Sequence, residues 1–147
     1  MEKRMNMAAL QPGAYQALIA LESALSKISL SKIEKELIKI RASQINQCAF
    51  CLNMHTIDAR KIGETEQRIY LLNAWRETNL FSARERSILA ITEEVTLISH
   101  KGLSEETYQQ ALNLFNEQEI SEIIMCVVAI NAWNRIAIAT HLQPEDL

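Results

Sequence analysis

Three glycines and two prolines in 147 residues, with no segment in which apolar and polar residues alternate over a strand's length, leave the sequence short of what a β-sheet needs. Long hydrophobic runs are missing too. The most apolar run, IIMCVVAI, is too short to span a bilayer and is followed by Asn131, Asn134 and Arg135. The opening MEKRMNMAALQPGAYQ has basic residues but only a brief apolar patch before Gln11, Pro12 and Gly13, which makes a poor secretory signal. No membrane association is expected, and a cytoplasmic location is. Charge of one sign is also lacking: the net charge is −3, with acidic and basic residues mixed throughout, so there is no footprint for nucleic acid.

Cysteine is scarce and odd in number, with three residues at 48, 51 and 126. A chain of this length buries roughly 68–70% of its unfolded surface on folding and needs no disulfide framework or structural metal to do so. No proline-rich linker, low-complexity tract or abrupt charge change divides the chain, so residues 1–147 are expected to form a single domain.

What is present is helical periodicity. Pro12 suits a first helical turn and opens a segment to about Leu25 with Leu18, Leu21, Ala24 and Leu25 as its apolar stripe. Ser31 with Glu34 forms a capping box for a helix running to about Asn46. The next helix runs to Ile62, where Gly63 can supply a left-handed turn. Thr65, Ser82 with Glu85, Ser104, and Asn116 with Glu119 mark further helix starts, the last helix running from about Glu117 to Thr140. The expectation is an all-α bundle of about seven helices. The tripeptide N-A-W occurs at Asn73 and again at Asn131, but its flanks differ, so Trp75 and Trp133 read as packing anchors and not as a repeat.

The chemistry lies in QCAFCLNMH, residues 47–55. At about 100° per residue, Cys48, Cys51, Leu52, His55, Ala59 and Ile62 share one helical face. Reactive groups among apolar neighbours are costly to bury without partners, which points to a lined pocket. His55, one turn beyond Cys51, can take its proton or stabilise its thiolate, and a helix start near Cys48 adds favourable amide dipoles. A sulfenic acid on one sulfur can condense with the other to a disulfide. In the preceding helix Glu36 borders the stripe of Ile33, Leu37 and Ile40, while Lys32, Lys35 and Lys39 point to the other side. A partly buried Glu36 with a raised pKa is expected to form a proton relay with His55.

The run EKELIKIRASQINQCAFCLNMHTIDARKIGE resembles the carboxymuconolactone decarboxylase superfamily on its alkylhydroperoxidase D-like branch, whose signature is a glutamate, C-x-x-C and a histidine four residues on. PGAYQALIALE and INAWNRIAIA resemble further segments of that branch. The resemblance implies an all-helical fold, assembly as a homo-oligomer, often a trimer or hexamer, and a thiol peroxidase that reduces alkyl or hydrogen peroxides. It carries Glu36, Cys48, Cys51 and His55 over as catalytic residues, with no cofactor and no metal. A lipoyl adaptor or a thioredoxin-like protein is the implied thiol reductant. Well-known branch members have a second histidine directly before the second cysteine, where Phe50 stands here. Decarboxylases of the superfamily lack the cysteine pair, so its presence argues for redox chemistry.

Three readings compete. Two thiolates, an imidazole and Glu36 are proper zinc ligands, which would make the chain a metal-binding or assembly protein, although structural zinc sites draw ligands from separate turns or loops. An enzyme acting on a cyclic carboxylate is the second alternative. The leading expectation is the peroxidase, with Cys51 attacking, because it lies one turn from His55, and Cys48 resolving; by analogy with other C-x-x-C helices, Cys48 as the exposed or the attacking sulfur is the alternative order. Cys126 is expected to be a buried inert thiol, and His100 and His141 to be solvated.

Overall fold

Ser31, Ser82 and Asn116 each accept from the amide three residues on while Glu34, Glu85 and Glu119 reach back to the cap's own amide, so three helices start where the capping boxes are written. The structure is a computed structural model, and it describes residues 2–144. Those residues are all-helical: α1 (Met7–Leu10), α2 (Pro12–Leu25), α3 (Lys32–Asn46), α4 (Ala49–Lys61), α5 (Glu66–Leu71), a 3-10 turn (Leu72–Glu77), α6 (Ala83–Thr96), α7 (Ile98–Lys101), α8 (Glu105–Leu112) and α9 (Glu117–Thr140). Nine α-helices exceed the expected seven because two single-turn pieces, α1 and α7, are too short to carry a periodic pattern. His100 falls in α7 and is exposed, whereas His141 is half-buried, because it ends α9 in a left-handed conformation with Nδ1 3.3 Å from the Glu2 carbonyl.

Helix α3 is the hub, packing on α4, α6 and α9. One face carries Ile38 and Ala42 into a core shared with Ile88, Ile91, Ile123, Val127 and Ile130. The other carries Leu37 and Ile40 into a second core with Leu72, Trp75, Phe81 and Leu89. Trp75 anchors there through its Nε1, 2.8 Å from Glu93 Oε1, and Trp133 packs edge-on to Tyr15 while donating to Glu22 at 3.2 Å. As a whole, α9 is long and apolar enough by composition to cross a membrane, unlike the IIMCVVAI run alone. In the fold, however, its Ile120, Ile123, Val127 and Ile130 are core residues, and it buries Asn131 and Asn134 among hydrogen-bond partners.

Candidate active site

Between α3 and α4 the chain turns sharply without glycine or proline. Gln47 takes the left-handed region (φ 59°), ending α3, and Cys48 follows in extended conformation as the N-cap of α4. A left-handed non-glycine residue is uncommon, and here its effect is to put Cys48 at the head of a helix. The Cys48 amide donates back to the Ser43 carbonyl at 3.0 Å, and the Cys51 amide donates to the Cys48 sulfur at 3.4 Å. Cys51, His55 and Ala59 then line the buried face of α4, as the spacing predicts, while Ile62 at its end is exposed.

The two sulfurs lie 2.6 Å apart as free thiols, each residue only 1% exposed. Their environments differ. Cys48 is pulled down to about 7 by the Cys51 thiol donating to it, against the cost of burial, with help from backbone amides of the helix start and from Asn134. The Cys51 thiol is raised by that same hydrogen bond and by burial. The lowered thiol is thus Cys48, the alternative attacking sulfur, and the raised one is Cys51, which the spacing favoured. Proximity of Cys51 to His55 in sequence is outweighed by the cap position, where two donors converge on Cys48.

Glu36 does face inward from α3. Its Oε2 lies 2.8 Å from His55 Nδ1, and its Oε1 lies 3.3 Å from Lys39 Nζ. A carboxylate only accepts, so Nδ1 carries the hydrogen of this contact. The expected rise in the Glu36 pKa is corrected: burial pushes it up, but the hydrogen bond and charge of His55 and the ammonium of Lys39 outweigh burial and leave it below its ordinary value. Lys39 was expected to point away. It instead bridges Glu36 and Glu22, the latter at 3.6 Å.

Glu36 also borders a partly open cavity of about 240 Å³ between α2, α3, α4 and α9, lined by Leu25, Lys39, Ile62 and Cys126 among others. The carboxylate thus connects that cavity to the imidazole. Cys126 is buried there and pushed up to about 11 by desolvation, in keeping with an inert thiol. Phe50 packs half-buried against the first core. Among the described residues no group of three or more His, Cys, Asp or Glu is arranged to hold a metal ion, and Glu36, the fourth ligand in a zinc reading, is engaged by His55.

The residue that sequence reasoning missed is Asn134. It is fully buried on α9 and donates to Ser43 Oγ at 2.9 Å, and its side chain works to lower both thiols. Its signal was a pair of asparagines three apart on the inward face of an otherwise apolar helix, where an unpartnered amide would be costly.

Comparison with known proteins agrees with this fold. A model of the carboxymuconolactone decarboxylase family matches residues 12–94. The uncharacterized protein YdfG of Bacillus subtilis is 40% identical over 139 residues, covering 95% of each chain. A crystal structure from Agrobacterium tumefaciens, of a protein of unknown function named as a candidate antioxidant defence protein AhpD, superposes with a TM-score of 0.95 at 36% identity, over 99% of this chain and 100% of that one. An uncharacterized peroxidase-related protein from Silicibacter gives a TM-score of 0.79 at 29% identity, over 88% of this chain and 69% of its own.

Proposed function

The chain belongs to the carboxymuconolactone decarboxylase family, on the AhpD-like branch, and from that premise we propose that it is a thiol peroxidase cycling between the Cys48–Cys51 dithiol and disulfide. The observation that carries the reading is the sulfur pair itself, two free and buried thiols 2.6 Å apart at the start of α4, with Cys48 pulled down and Cys51 pushed up by the hydrogen bond between them. A decarboxylation has no use for such a pair, whereas a thiolate is the reactive form of cysteine toward peroxides.

The Cys48 thiolate attacks the distal oxygen of a hydroperoxide ROOH. The O–O bond breaks, an S–O bond forms, and Cys48 becomes a sulfenic acid. The alkoxide RO⁻ leaves as ROH with a proton that His55 Nε2 has first taken up from solvent, Nδ1 staying hydrogen-bonded to Glu36. The Cys51 thiol then attacks the Cys48 sulfur, the S–S bond forms, and the S–O oxygen departs as water with the thiol proton. An external dithiol returns two electrons and two protons by thiol–disulfide exchange. Glu36 acts as a carboxylate that orients His55, and its contact with the cavity offers a proton route from outside.

The reductant is a lipoyl adaptor or a thioredoxin-like protein, the setting is the cytoplasm, and residues 1–147 act as one domain without a cofactor. Assembly into a homo-oligomer is supported by the exposed Met125, Val128 and Ile138 along the outer face of α9, which leave apolar area uncovered in one copy.

The test is hydroperoxide consumption driven by a dithiol reductant. Turnover is expected for the parent protein and for Cys126→Ser, and loss of it for Cys48→Ser and Cys51→Ser. Turnover that survives loss of both site cysteines would overturn the reading.

A further inference from the structure

Glu36 lines the cavity between α2, α3, α4 and α9, whereas Cys48, Cys51 and His55 do not, so the sulfur chemistry gives that space no task. Its floor is apolar. Leu25 and Cys126, both buried, close it from α2 and α9, and Ile62 flanks it from the end of α4. A volume of about 240 Å³ has room for about eight water-sized groups at roughly 30 Å³ each.

The carboxylates around the cavity already have cations. Glu22 and Glu36 hold the Lys39 ammonium at 3.6 and 3.3 Å, Glu36 also contacts His55, and Asp58 lies 3.4 Å from Lys61 Nζ. The remaining two lysines of the lining are not matched in this way. Lys35 Nζ reaches the Leu25 carbonyl at 3.5 Å and the Ser26 carbonyl at 3.0 Å, which leaves one of its three hydrogens free. Lys32, one turn earlier on the same face of α3, stands exposed at the rim. Among the described residues neither pairs with a carboxylate.

We propose that this cavity is a binding site for a small amphipathic carboxylate, an acid of about eight carbons, whose head group meets Lys32 and Lys35 at the rim and whose alkyl chain lies on Leu25, Ile62 and Cys126. The carbon stems of the two lysines extend the apolar wall toward the mouth. A cationic ligand has no such opening, because Glu22, Glu36 and Asp58 are each occupied. The occupant lies against Glu36, one hydrogen bond from His55. The site goes beyond the peroxidase reading and does not depend on it.

Calorimetric titration of the reduced full chain with octanoate is the test. Binding at a single site is expected, with Kd on the order of 10⁻⁴ M for a ligand of this size. Hexanoate, shorter by two methylenes, should bind about tenfold more weakly. Octan-1-ol keeps the chain without the charge and should also be about tenfold weaker, and octylammonium should not bind. Lys32→Met and Lys35→Met should each weaken octanoate by about three- to tenfold. Lys101→Met removes the same charge on α7, outside the cavity, and should stay within about twofold of the parent, since salt screens a distant charge.

Absence of octanoate binding would overturn the proposal, as would octan-1-ol binding as tightly as the acid, or octylammonium binding in its place. Equal affinities of Lys32→Met and Lys101→Met would overturn it too. Lys32 decides the matter where loss of the Lys35 contacts loosens the end of α2, because Lys32 is exposed and its removal leaves the fold intact. The Cys48→Ser/Cys51→Ser double variant should bind octanoate as the parent does, so this result stands or falls separately from the peroxide test.

Discussion

Glu36 Oε2 and His55 Nδ1 are 2.8 Å apart, joining helices α3 and α4 across a buried contact. The pair sets the imidazole tautomer, because the carboxylate accepts the Nδ1 hydrogen and leaves Nε2 for the chemistry. Glu36→Gln keeps the size of the side chain but can offer either a donor or an acceptor, and it removes the charge. Peroxide consumption is expected to fall by about 10²-fold, the usual reach of a general acid–base contribution. The Cys48 midpoint should stay within a few tenths of a unit. Parallel measurement of turnover and thiol titration checks both, and a variant as fast as the parent contradicts the relay.

The order of attack has its own signature. In Cys51→Ser treated with limiting hydroperoxide, sulfenic acid is expected to accumulate on Cys48, since the thiol that would resolve it is gone. Cys48→Ser should form it slowly, because burial alone raises the Cys51 thiol once its partner is removed. Peptide mass spectrometry with a sulfenic-acid trap reads this, and trapping confined to Cys51 would reverse the assignment.

Reactivity with pH separates the three cysteines. Cys48, drawn down to about 7 from an ordinary 9, should be mostly thiolate at pH 8, whereas Cys126 at about 11 should remain protonated. Thiolate absorbance should therefore rise by one sulfur's worth around neutrality and by nothing more until well into alkaline pH. Replacing Cys126 should leave the neutral step untouched.

Away from the site, Glu93 ties α6 to α3 and to the 3-10 turn by accepting from Arg41 at 2.7 Å, from Trp75 at 2.8 Å and from Arg76. Burial raises its pKa, but Arg76, Trp75 and Arg41 together outweigh burial and hold it below the ordinary 4.5. A depressed folded-state pKa contributes stability that is fully present above the unfolded value and disappears as pH falls through the folded one. Glu93→Gln is expected to cost about 1–3 kcal/mol at neutral pH. The gap from the parent should narrow below pH 4.5, as denaturant unfolding at several pH values would show.

Much of this architecture is legible in the chain. Ser31, Ser82 and Asn116 start helices because a short polar side chain followed three residues later by a carboxylate satisfies orphan amides whatever the rest of the fold does. Glu36 was legible as an inward carboxylate from its place at the border of an apolar stripe, and its meeting with His55 followed once α3 and α4 packed together.

The electrostatics were less legible. The Glu36 pKa depends on Lys39 curling back over its own helix, and a periodic pattern specifies which face a residue occupies but not where a long side chain ends. A helix start near Cys48 is legible, but the left-handed break at Gln47 carries no glycine or proline to announce it, and the pattern does not single out Cys48 as the cap that accepts from the Cys51 amide. Asn134 was hidden for a different reason. Its partners, Asn46 and Ser43, are distant in sequence, and only tertiary packing brings them to the sulfurs.

The most direct test is a single-turnover mass measurement. Fully reduced protein is given one equivalent of hydroperoxide without any reductant, then alkylated and digested. Consumption of the peroxide with loss of two hydrogens from the protein, and one intramolecular disulfide between Cys48 and Cys51, is the predicted result. Peroxide left unconsumed while both thiols remain free to alkylate would contradict the account.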